Sequence, residues 1–106
     1  MLYRIVCNGH QLLPGHHPAR ERLLGAFSAG VDGFDQLKTP QITNKRVRFY
    51  FTEKGWQLFG RVVAANAHKA GQVVRVRRCK NPDASQIIYE DEFQVALLVR
   101  KQSPRR

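Results

Sequence analysis

The sequence predicts an α+β fold, a mostly antiparallel sheet of four to five strands carrying one long helix over about residues 53–70 and a short N-terminal helix. Three observations predict it. Arg46-Val47-Arg48-Phe49-Tyr50-Phe51 alternates with period two, the mark of a half-buried strand. The residues after it, as far as Ala70, switch to helical spacing. Beyond Gly71 the chain returns to β-type composition three times with turn residues between, which suits antiparallel pairing with helices on one side of the sheet. A chain of 106 residues, 42% hydrophobic and 25% charged, fits one domain, residues 1–101, followed by a disordered basic tail, 102–106. Repeat arrays and two-domain enzymes are excluded.

Taken in order, Leu2 to Val6 reads as a strand and His17 to Phe27 as the short helix, opened by Pro18. Ser28 to Asn44 reads as a Gly-rich, polar loop, long enough to be functional, mobile or misassigned. In the strand that follows, Val47, Phe49 and Phe51 share one face, and Arg46, Arg48 and Tyr50 the other. Thr52 is the N-cap of the long helix and Glu53 lies in its first turn; Trp56, Phe59, Val63 and Ala67 form its apolar stripe, widened by Leu58 and Val62. His68 and Lys69 suit the negative end of the dipole and Gly71 the C-cap. Gly55 and Gly60 lower helix propensity, so packing must hold this helix. Val74 and Val76 then alternate with Arg75 and Arg77 until Asn81-Pro82-Asp83 turns the chain; Ile87 to Tyr89 and Phe93 to Val99 are the last strands.

Arg4 interrupts the apolar start, and no stretch has the length of a signal core or a bilayer span. A soluble, cytoplasmic protein with no membrane partner is expected. Cys7 and Cys79 read as reduced thiols.

Charge is the most informative feature. Lys and Arg number 18 against 8 Asp and Glu, a formal charge of +10. Residues 45–80 hold ten basic side chains and a single acid, Glu53. If the two Arg-bearing strands share a sheet, Arg46, Arg48, Arg75 and Arg77 can share one surface, with Arg78 beside them. Guanidinium forks pair with phosphate, and Tyr50 offers a ring for base stacking. The expected partner is a nucleic acid, RNA or DNA, or another polyanion; an acidic protein would use the same arginines. The competing reading is a solvated sheet face whose arginines serve solubility and discourage edge pairing.

Two further clusters carry chemistry. Cys7, His10, His16 and His17 supply ligand types that zinc accepts, without the second knuckle of a finger, and also read as decoration of a polar turn around Pro14 and Gly15. Glu90-Asp91-Glu92 concentrates three of the eight acids. Alternation would place Glu90 and Glu92 together, where paired carboxylates bind a divalent cation or share a proton, or merely counterbalance neighbouring arginines.

The run RFYFTEKGW, the helix after it, GQVVRVRR and YEDEFQVALL loosely resemble the second half of ADP-ribosyltransferase-like domains, over residues 46–99. The resemblance implies that Arg4 and Thr52 hold a nicotinamide cofactor and that Glu90 or Glu92 activates the acceptor. Gln94 stands directly before the VALLV run, where the family's glutamate is expected. A small transferase or nuclease, active or degenerate, is thus the alternative to the favoured reading, a non-enzymatic binding module with no cofactor.

Overall fold

The computed structural model describes residues 1–13, 22–40 and 46–99. The fold is α+β, as expected. Its strands are β1 (Leu2–Cys7), β2 (His10–Leu13), β3 (Arg22–Leu23), β4 (Val47–Phe51), β5 (Val74–Cys79), β6 (Ile87–Glu90) and β7 (Gln94–Leu98). They form one curled sheet in the order β3-β2-β1-β4-β7-β6, with β5 also on β1. All pairings are antiparallel except the short parallel contact of β2 with β3. The count exceeds the expected four to five through β2 and β3, four and two residues long, too short to show an alternating pattern. β2 returns from β1 through Asn8-Gly9, both with positive φ of 51° and 83°, the signature of a tight hairpin turn.

β1 organises the sheet because its two edges are used differently. One edge pairs with β5 along its whole length, from Leu2 opposite Cys79 to Cys7 opposite Val74. The other edge is shared: Tyr3 faces Phe51 of β4, whereas Val6 and Cys7 face Gln11 and His10 of β2. Where β2 and β4 meet, a side chain takes over from the backbone ladder. The Gln11 amide donates to the Val47 carbonyl at 2.9 Å and accepts from the Phe49 N–H at 3.3 Å. It thereby engages the carbonyl and N–H that flank Arg48, as a neighbouring peptide unit would.

The helix covers the face bearing Ile5, Cys7 and Phe51, and the main core lies between them, with Phe59, Val63 and Ala67 almost fully buried. It comprises α1 (Glu53–Gly55), a π turn (Trp56–Gly60) and α2 (Arg61–Lys69). Thr52 caps it, its Oγ1 accepting from the Gly55 N–H at 3.0 Å and donating to the Glu92 carbonyl at 2.8 Å. Gly71, at φ 85°, ends it. The two helical glycines are packing requirements: a Cβ on Gly55 would lie 2.1 Å from the Phe93 carbonyl oxygen, and one on Gly60 2.7 Å from the Phe51 ring. Leu58, expected to widen the buried stripe, is exposed. It lies within the wide π turn, where the 3.6-residue phase used to place it does not hold.

The expected N-terminal helix at 17–27 falls partly outside the described residues. Within them Arg22–Leu23 is β3 and Leu24–Phe27 a single 3₁₀ turn. The segment after it is no open loop. Phe27, Val31 and Phe34 pack against the main core, and Leu37 is buried in it. Asn66 of α2 donates to the Phe27 and Ala29 carbonyls, both at 2.8 Å, and buried Gln94 donates to the Lys38 carbonyl at 2.8 Å. The expected tail, 102–106, lies outside the described residues.

The β6–β7 turn is organised by Asp91, whose carboxylate accepts from the Phe93 and Gln94 N–H groups, both at 2.8 Å, and from the Tyr89 hydroxyl. Burial, the hydrogen bond to Asp91 and its charge push the Tyr89 phenol up to about 12. Its folded form holds the proton more tightly than the unfolded chain, so this contribution is complete below pH ~10 and fades as the pH rises through about 12. Tyr3, raised by burial and by its bond to Glu53, acts in the same direction. Unfolding midpoints from pH 9 to about 12 should therefore fall for the wild type and fall less steeply for Tyr89→Phe. Parallel curves would place the alkaline loss elsewhere.

Candidate nucleic-acid interface

Strand parity decides which cations meet. Tyr3 and Phe51, opposite one another, face the helix side, so Arg4 and Tyr50 beside them project from the other face. Arg48 shares parity with Tyr50. Across the other edge of β1, Arg77 stands directly opposite Arg4 and Arg75 directly opposite Val6. Arginines from β5, β1 and β4 therefore occupy one side of the sheet.

They line an open trough of two joined hollows. The larger, about 550 Å³, has Arg4, Arg48, Arg75 and Arg77 in its wall together with Val6, Tyr50 and Val73. The smaller, about 320 Å³, adds Arg46, His10 and Gln11. Both share Arg4, Gly9 and Arg48, which makes them continuous. Among the described residues no carboxylate lines either hollow, and none lies within ion-pair distance of Arg48, Arg75 or Arg77. Arg4 is oriented by Gln11, its Nε donating to Oε1 at 3.3 Å. The amide that joins β2 to β4 thus also positions the central guanidinium.

Two anticipated members sit differently. Arg78 touches the trough's rim, but it stands opposite Tyr3 and its guanidinium carbon lies 5.9 Å from that ring's centroid, on the helix side of the sheet. Adjacent residues of a strand point to opposite faces, so Arg78 meets the hollow at its edge while Arg77 projects from the trough side. Tyr50 is on the arginine side, yet it is only 9% exposed, packed with Leu2, Val95 and Leu97. Its ring is part of a second small core, with Cys79 and Ile87 at its margin. Alternation assigned its side correctly but does not report how far the sheet curls over it.

The other candidates are dispersed. Glu92 pairs with Lys54 at 3.1 Å, and Glu90 is exposed at the end of β6; neither lines the trough. Thr52 is engaged as the helix cap. Arg4, named above as a cofactor ligand, lines both hollows of the trough. Cys7 is fully buried in the main core, which removes its sulfur from any surface metal site, while His10 is exposed in the smaller hollow. His16 and His17 lie outside the described residues. Among the described residues no cluster of three or more His, Cys, Asp or Glu side chains is placed to hold a metal, and no helix is long and apolar enough to cross a membrane.

Sequence reasoning missed Gln11 and the central place of Arg4. The usable signal was Asn8-Gly9: a hairpin there brings Gln11 opposite Val6, on the face that carries Arg4. Comparison with family models, curated proteins and solved structures yields no match to this chain.

Proposed function

We propose that the chain is a non-enzymatic nucleic-acid-binding module that grips phosphates with Arg4, Arg48, Arg75 and Arg77, with Arg46 extending the contact along the smaller hollow. The observation that carries this reading is the trough itself, walled by arginines of three strands and lined by no described carboxylate. Arg4 and Arg77 stand directly opposite each other, an arrangement that destabilises an isolated sheet. A phosphate backbone laid in the trough converts that repulsion into charge-assisted, bidentate contacts. The formal charge of +10 adds long-range attraction and speeds encounter.

Four neutralised phosphates imply a log–log salt slope of about −3.6, hence an affinity loss of about 150-fold between 50 and 200 mM salt. Fluorescence anisotropy with labelled oligonucleotides across that range measures it. A flat response, or no binding at low salt to single strands and duplex alike, would overturn the reading.

A further inference from the structure

We infer that the trough's ligand is double-stranded nucleic acid held by its phosphate backbone, without base stacking; this inference rests on the polyanion reading above. It follows from where the aromatic side chains go. The chain has one Trp, three Tyr and six Phe, and every one lies within the described residues. Tyr50 alone reaches the trough wall, and it is packed. Tyr3 stacks on Trp56 with centroids 4.8 Å apart on the helix side. Phe59 makes edge contacts with Phe34 and Phe93, and Tyr89 donates to Asp91. No ring is left open among the arginines.

Proteins that bind single strands without sequence preference stack successive bases on aromatic rings, each stack contributing about 1–3 kcal/mol. This trough offers guanidinium forks over a floor of Val6 and the covered Tyr50, so an unstacked base gains little in it. A duplex needs no such platform: its bases are already stacked inside, and it presents phosphates at roughly one charge per 1.7 Å of axis. Phosphate contacts position a protein on the duplex and carry no sequence information. Binding should therefore be indifferent to base order.

The test compares the 106-residue chain on a duplex of two helical turns, about 20 base pairs, on one of its strands alone, and on a duplex of permuted sequence, all at one salt concentration. The expected result is a duplex affinity at least about tenfold above that of the single strand, with the permuted duplex competing equally. A single strand that binds as tightly as the duplex, with a steep salt response, overturns the duplex assignment and leaves the polyanion reading standing; bases stacking on guanidinium planes would produce that result. A permuted duplex that competes about tenfold less well overturns recognition by backbone alone. Binding to neither form overturns both.

Discussion

Replacing Gly55 with alanine should destabilise the protein by about 3 kcal/mol or more, a fall of roughly 15 °C in thermal midpoint for a domain of this size. The added methyl would sit 2.1 Å from the Phe93 carbonyl oxygen, and that oxygen already accepts from the Thr52 N–H at 2.9 Å. The neighbourhood cannot yield cheaply, because three further contacts hold it. The Thr52 hydroxyl donates to the Glu92 carbonyl, Lys54 pairs with Glu92, and the Lys54 ammonium lies 5.6 Å from the centroid of the Phe93 ring. Relieving the clash means lifting α1 off the β6–β7 turn and moving Phe93, which packs on Phe59 in the core. Gly25→Ala is the control: nothing lies within 4 Å of a Cβ there, and a change within about 0.5 kcal/mol is expected. Thermal or urea unfolding of the two variants decides the matter. Equal stabilities would show that the helix start is not wedged against that carbonyl.

The second large effect concerns binding. Changing Arg48, Arg75 and Arg77 together to glutamine keeps most of each aliphatic stem and removes three charges. At roughly 1.5 kcal/mol for each charge-assisted contact, duplex affinity should fall by about 4.5 kcal/mol, roughly two-thousandfold. The log–log salt slope should shrink by about 2.7. Stability should move the other way, because the Arg4–Arg77 opposition disappears. A rise of about 0.5 kcal/mol, or 2–4 °C, matches the cost of like charges across a strand pair. Such opposed movements mark a surface shaped for a ligand at the expense of the fold. A variant that binds as before would sink the assignment of these residues. One that loses several degrees would show that the guanidiniums support the fold instead.

Much of the architecture was legible because it follows from local chemistry. Period-two alternation located β4, β5 and β7, Thr52 and Gly71 bracketed the helix, and the two helical glycines pointed to packing in place of propensity. What stayed hidden depends on partners distant in sequence. Ser28 to Asn44 reads as polar loop because Gly30 and Gly33 interrupt it, yet Val31, Phe34 and Leu37 within it each find the core once Asn66 and Gln94 tether the backbone. The first hairpin has a single local signal, Asn8-Gly9, set between two residues, Cys7 and His10, that also suit a metal. For the site, alternation correctly separated Arg46 and Arg48 from Val47 and Phe49. It cannot specify which strand lies between β4 and β5. That strand is β1, and with it Arg4 enters the middle of the cationic surface.

The divided edge of β1 bears on motion. Between β1 and β4 the backbone pairing is brief, Tyr3 with Phe51, and the Gln11 amide continues the junction. This is a sparsely paired seam, where β5, β1 and β2 would part from β4, β7 and β6 in a local opening. Arg75, Arg77 and Arg4 stand on one bank of that seam, Arg46 and Arg48 on the other. Any polyanion lying across both banks acts as an external staple, and the amide protons of Phe49 and Phe51 would record its arrival as slowed exchange with solvent.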